Sequence, residues 1–192
     1  MNRKLVSAIV LMFFLAGLSS SVAKVPRVKA SVAVYINADG SVDPPTTPIR
    51  RVAAVYYFVD NINASIIVHK DNIVIDGDGY TLQGMGTGYG IDLNRRNNVT
   101  VRNVWIEDFL FGIYLGRYSG RYFGNTLAGN VIRNCSWSAI YLASYDKDLG
   151  AASSNNRVFD NIIENNTSGI GLGRRSYGNT LYNNTITDNT NG

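Results

Sequence analysis

Of 192 residues only one is Cys, one is His, three are Met and four are Pro. A single Cys forbids an intramolecular disulfide and removes every Cys-rich zinc arrangement. Long stretches of Ala, Leu, Glu and Lys are missing, while Asn and Gly, both poor helix formers, are plentiful. A helical bundle is therefore excluded. The 45% hydrophobic content is too high for a disordered chain. Net charge of one sign is lacking as well. The formal charge is +4, but Arg3, Lys4, Lys24, Arg27 and Lys29 all precede Ser31, leaving 13 basic against 14 acidic side chains beyond it. That balance removes the global electrostatic case for nucleic acid as a partner.

Met1–Ala23 reads as a secretory signal. Arg3 and Lys4 form its positive start, Leu5–Leu18 is an uncharged apolar run, and Ser21-Val22-Ala23 supplies small residues before a cleavage point. An uncleaved N-terminal anchor is the alternative, although the run is shorter than the ~20 residues of a full span. No second long apolar run occurs. The expected location is thus secreted or cell-surface, with a membrane reached only through that leader. Residues 24–61 read as a linker and N-terminal cap, with strands at Val32–Ile36 and Val55–Val59 broken by Asp39-Gly40 and Asp43-Pro44-Pro45.

What is abundant is Asn: 22 residues, 16 of them between Asn97 and Gly192. They fall in repeats. Asn98-Val-Thr-Val-Arg-Asn-Val-Trp-Ile106 is echoed by Asn125–Ile132, Asn156–Ile163 and Asn179–Ile186. Ile113-Tyr-Leu115, Ile140-Tyr-Leu142 and Ile170-Gly-Leu172 follow the first three, and a degenerate earlier round runs from Asn72 to Leu93. Rounds of 22, 27 and 30 residues with three short strands each describe a solenoid. Such strands bury no face alone, but coils stacked at ~4.8 Å pair each strand with its copies above and below, as a parallel β-helix. The inward columns are then Val101/Leu127/Val158/Leu181, Ile106/Ile132/Ile163/Ile186 and Leu93/Leu115/Leu142/Leu172. Asn130, Asn161 and Asn184 align as a stacked amide ladder at a corner where Asn also tolerates left-handed backbone. The sequons at Asn63, Asn98, Asn134, Asn165, Asn166 and Asn183 follow from that composition. Repeats occupy residues 62–192, and the last coil reads as incomplete, since the chain stops where another Ile-x-Leu strand is due.

These repeats resemble the NosD-type right-handed parallel β-helix proteins. Those are grouped with the pectin-lyase-like superfamily and with carbohydrate-binding and sugar-hydrolase repeat domains. The resemblance rests on Asn72-Ile-Val-Ile-Asp-Gly-Asp-Gly-Tyr-Thr-Leu82, an opening coil, and on the later Asn-Thr-Leu, Asn-x-Ile and Gly-Ile-x-Leu rounds. It implies an all-β right-handed parallel β-helix. It leaves activity open, because the family holds enzymes, binding proteins and surface proteins.

The family name implies copper delivery, but a copper site gathers His, Met or Cys. His69, Met85 and Cys135 are single residues in different coils, so no metal ligand set is assigned. Glycan cleavage needs paired carboxylates or a Ca²⁺ cluster with a basic residue. Glu107, Arg133, Glu164 and Thr187 align instead as a charge ladder, and Asp76 and Asp78 suit a turn. Asp146 and Asp148, with Arg157 downstream, are the weak catalytic or Ca²⁺ candidates, and no other cofactor is implied.

A third constellation follows the Ile-x-Leu strands: Arg95 and Arg96, then Arg117, Tyr118, Arg121 and Tyr122, then Tyr145 and Lys147, then Arg174, Arg175 and Tyr177. Tyr114 and Tyr141, the x of Ile-x-Leu, point outward nearby. Tyr faces stack on sugar rings and Arg forks pair with carboxylates or sulfates. The sequence thus leads to a protein that binds acidic glycan without catalysis, its partner a polysaccharide or cell-surface glycan. A polysaccharide lyase or glycoside hydrolase, and a structural adhesion module, are the alternatives.

Overall fold

The computed structural model describes residues 33–117, 121–144 and 152–191. The expected leader at 1–23, Tyr118, and the Asp146-Lys147-Asp148 stretch lie outside the described residues. Among the described residues every regular element is a strand. The chain opens with β1 (Ala33–Ile36), β2 (Val42–Asp43), β3 (Ile49–Val52) and β4 (Val55–Phe58). A first round follows as β5 (Ser65–Val68), β6 (Val74–Asp76) and β7 (Thr81–Gln83), and a second as β8 (Tyr89–Asp92), β9 (Thr100–Arg102) and β10 (Trp105–Glu107). The third round is β11 (Phe111–Arg117), β12 (Arg121–Phe123), β13 (Thr126–Ala128) and β14 (Val131–Arg133). The fourth is β15 (Ser138–Ser144), β16 (Ala152–Ser154), β17 (Arg157–Phe159) and β18 (Ile162–Glu164). The fifth is β19 (Ser168–Leu172), β20 (Ser176–Tyr177), β21 (Thr180–Tyr182) and β22 (Thr185–Thr187).

Strands one round apart pair in parallel, giving a front sheet β2-β1-β5-β8-β11-β15-β19, a back sheet β3-β4-β6-β9-β13-β17-β21 and a side sheet β7-β10-β14-β18-β22. The architecture is a parallel β-helix. Two features add to the sequence reading. The segment expected as a cap is partly coil already, because β1 and β4 pair in parallel with β5 and β6. Among the described residues, β2 and β3 pair antiparallel with β1 and β4 and so occupy the outer edges of those two strands. A small fourth sheet, β12-β16-β20, also gives the later rounds a fourth strand, because each long front strand is followed by a further short one.

Corners explain how strands of three residues repeat so regularly. Left-handed φ values fall at Asn98, Asn103 and Asp108, at Gly124, Gly129 and Asn134, at Asn155, Asp160 and Asn165, and at Gly178, Asn183 and Asp188. Within each round these corners are five residues apart: one left-handed residue, one inward residue, three strand residues. Asn, Asp and Gly are the types that adopt this backbone at least cost. Each sequon residue among them is thus a corner first.

The inward columns stack as the repeats imply, with Val101, Leu127, Val158 and Leu181 in register on the back sheet and Ile106, Ile132, Ile163 and Ile186 on the side sheet. Members from the second to fourth rounds are fully buried, whereas Leu172, Leu181 and Ile186 of the fifth are exposed. Each fully buried aliphatic side chain contributes roughly 1.5–3 kcal/mol by leaving water.

Just after the corners, apolar residues give way to amides along the axis. Val104 is succeeded by Asn130, Asn161 and Asn184, whose side chains bond in series at 2.9 Å and 2.9 Å. Two further ladders run beside it: Asn125, Asn156 and Asn179, at 3.1 and 2.9 Å, and Asn166 and Asn189, at 2.9 Å. Cys135 heads the last, its backbone N–H donating to Asn166 Oδ1 at 2.9 Å.

Candidate ligand-binding face

Four front strands share one pattern: an aromatic or Ser, a small residue, Ile, a variable residue and Leu. The strands are Tyr89–Leu93, Phe111–Leu115, Ser138–Leu142 and Ser168–Leu172. Because side chains alternate across a sheet, Ile and Leu turn inward and the variable residue turns out. Register places Asp92, Tyr114, Tyr141 and Gly171 in one outward column, continued on the other side by Ile67 and Tyr35. Tyr89, Phe111, Ser138 and Ser168 form a second.

The two columns gather aromatic rings on the outside of the barrel. Tyr89 stacks on Tyr114 with centroids 4.2 Å apart, and Tyr114 lies parallel to Tyr141 at 5.8 Å. Phe111 meets Tyr89 at 5.7 Å, Tyr114 at 5.1 Å, Tyr141 at 5.4 Å and Trp137 at 6.2 Å. Trp137 arrives there through a bulge. The N–H groups of Trp137 and Ser138 both donate to the Leu110 carbonyl, so this corner holds one residue more than its neighbours. The bulge leaves Trp137 58% exposed. Gly171 completes the arrangement, since a Cβ there would sit 2.8 Å from Tyr141 Cδ2. The missing side chain is what lets the Tyr141 ring lie over β19.

Towards β1 the same face sinks into a groove of about 450 Å³, lined by Tyr35, Ile67, Val68, His69, Asp92, Asn94, Arg95 and Arg96. Its size suits a small ligand or one unit of a larger one. Tyr35 and the His69 ring, 5.8 Å apart, stand together at one wall. Arg96 is fixed by Nε to Asn94 O at 3.3 Å, Nη1 to His69 O at 3.0 Å, and a 3.4 Å ion pair with Asp71. Asp92 Oδ1 accepts the Asn94 N–H at 2.8 Å, and Asn94 Oδ1 accepts the hydroxyl of buried Tyr122 at 3.0 Å.

The residues singled out in sequence divide among several places. Tyr114 and Tyr141 come together as outward residues, but Tyr114 is only 9% exposed, because its faces are taken by Tyr89 and Tyr141. Arg95 lines the groove at a left-handed position. Arg117 is the last residue of β11, paired with Ser144, and not a turn residue, because the front strand runs two residues beyond Leu115. Arg121 and Arg175 each stand three residues before a corner, like Arg95, but Ala152 holds that place in the fourth round and interrupts the strip. Arg174 is exposed, and Tyr177, in β20 of the small sheet, is 61% exposed. Arg157 lies on the back sheet with its guanidinium 5.2 Å over the Phe159 ring and Nη2 donating to Tyr182 Oη at 2.9 Å. Those partners occupy it. Tyr89, Phe111 and Trp137 escaped the sequence reading. The first two could have been found from their fixed place ahead of Gly-Ile-x-Leu, whereas Trp137 depends on the bulge.

Elsewhere the charges are structural. Glu107, Arg133 and Glu164 are in register on the side sheet, with Arg133 Nε 2.6 Å from Glu107 Oε2 and its guanidinium 5.5 Å over Trp105. Burial raises the Asp76 carboxyl, but the Asp78 N–H, the Asn103 amide and the Arg102 guanidinium outweigh it and hold its pKa below the ordinary value. Burial also pushes the Cys135 thiol up to about 12, so it is neither a thiolate nucleophile nor a ready ligand. Met85 is exposed in another coil, and among the described residues no three His, Cys, Asp or Glu gather as a metal site.

Fold and face together define a parallel β-solenoid that presents side chains from successive coils along one flat surface. The family model described as right handed beta helix region matches residues 58–192, and the chain belongs to that family. No curated protein and no solved structure matches it.

Proposed function

We propose that this chain is an extracytoplasmic, NosD-type β-helix protein that binds acidic glycan along its front face without cleaving it. One observation carries the reading: five aromatic side chains from three coils cluster outside the barrel, one of them raised by a bulge. An outward sheet face has no packing need for them, and grouped apolar surface of this kind marks an interaction site. Rings with polar rims suit sugars, which offer apolar faces edged by hydroxyls. The coils repeat at ~4.8 Å, so the cluster extends along the axis as a polymer does.

The test uses the full chain with acidic and neutral polysaccharides, recording affinity and chain length together. Acidic polysaccharide is expected to bind and to keep its length. The double substitution Trp137→Ala with Tyr141→Ala should weaken binding by about tenfold or more, as expected for two truncated aromatic anchors. Unchanged affinity in that variant overturns the assignment of the face. Chain shortening overturns the non-catalytic reading in favour of a lyase or hydrolase.

A further inference from the structure

We propose that the groove between Tyr35 and Tyr114 is a subsite for the carboxylate or sulfate group of one sugar unit; this rests on the glycan reading. In the outward front column, Tyr35 and Tyr114 are separated by the smaller Ile67 and Asp92, which form the floor of a notch. Its lining includes several polar atoms that no group among the described residues uses. Among the described residues Arg96 Nη2, Asn94 Nδ2, the His69 ring nitrogens and Tyr35 Oη make no hydrogen bond with the protein.

Two of these are pure donors, and both are preorganised. Arg96 is anchored through Nε and Nη1, and its second amino group has no partner among the described residues. Asn94 is anchored through Oδ1 by the Tyr122 hydroxyl, which fixes its amide with the NH₂ as the available end. Arg95 also lines the groove. A donor-rich pocket with an anchored guanidinium selects an anionic oxygen, because charge-assisted hydrogen bonds are stronger and forks match planar acids. The aromatic cluster begins beside the groove, at Tyr89 on the strand that carries Asp92, and runs on through Tyr114, so the neighbouring units of the chain lie over the rings. The division of labour is definite: rings hold sugar faces, and the groove reads charge.

Calorimetric binding to the full chain tests this with three probes of equal length: a uronic-acid oligosaccharide, its carboxyl-reduced neutral form, and a sulfated neutral oligosaccharide. The wild type should bind one or both charged probes about tenfold more tightly than the neutral probe, as one charge-assisted fork provides. Which charged probe is preferred identifies the group. Arg96→Gln should bring charged probes down to the neutral affinity and leave the neutral probe within about twofold. Ile67→Trp, which fills the notch and removes no charge or anchor, should do the same and decides the matter if Arg96→Gln does not fold. A charge preference that survives both variants, or its absence from the wild type while neutral binding persists, overturns the groove and leaves the glycan reading standing. A wild type that binds none of the three overturns both.

Discussion

Truncating one rung of an amide ladder is a direct measure of what holds the later coils together. Asn161 is 1% exposed and uses its whole side chain. Oδ1 accepts from Asn130 N at 3.0 Å and from Asn130 Nδ2 at 2.9 Å. Nδ2 donates to Asn184 Oδ1 at 2.9 Å, Leu127 O at 3.0 Å and Phe159 O at 3.0 Å. Asn161→Ala leaves the Asn130 backbone N–H without its partner in a buried place, at a cost of about 1–3 kcal/mol, and removes several bonds each worth about 0.5–1.5 kcal/mol net. Asn130 Nδ2 keeps Val101 O, and Asn184 Oδ1 keeps the backbone N–H of residue 161, which limits the loss. The sum is about 3–5 kcal/mol. For a chain of this size that lowers Tm by roughly 10 °C. Asn161→Asp should be as damaging at neutral pH, because it sets a carboxylate against three oxygen acceptors. Urea unfolding followed by circular dichroism reads both. A loss for Asn161→Ala no larger than the ~0.5 kcal/mol of an exposed substitution would show that the amides merely fill space and refute the reasoning.

Two further substitutions test the core and its charges. A Cβ on Gly112 would lie 2.5 Å from Ala139 O and 2.5 Å from Ile132 Cγ2, so Gly112→Ala should lower stability by about 1–3 kcal/mol, measured as a shifted urea midpoint; an unchanged midpoint contradicts the packing. Asp76 has a folded pKa below its ordinary 3.8, so the stability it confers is present above that value and lost as pH falls through the folded value. Asp76→Asn should therefore be less stable than wild type at neutral pH, with a gap that closes well below pH 3.8; a gap independent of pH contradicts this.

The core was legible because Ile-x-Leu and Asn-x-Ile recur and every strand pairs with its own copies. Once the repeats align, register follows, and with it the Asn130/Asn161/Asn184 ladder. The other two ladders obey the same five-residue rhythm, but Val99 and Cys135 stand in place of Asn at their starts and disguise the columns. Trp137 was hidden for a different reason. A bulge breaks the count by one residue, and backbone hydrogen bonding reveals it where spacing does not. The groove needed register between β1, β5 and β8, whose sequences share little beyond alternation. The Arg residues after each Leu do not take equivalent positions, because a similar sequence there does not ensure a similar strand end: β11 continues to Arg117, whereas β8 stops at Asp92.

Counted from Val99, successive ladder positions are 26, 31 and 23 residues apart, yet from the second round to the fifth the corners within a round stay five apart. Apart from the one residue of the bulge at Trp137, that variation falls between the front strand and the next back-sheet corner. One half of the perimeter therefore works as a fixed gauge, and the other accepts length without disturbing it. A segment lengthened on that edge adds only about 0.6 kcal/mol of closure entropy per doubling. The molecule can thus diversify what it displays beside its front face while the gauge that folds it stays constant.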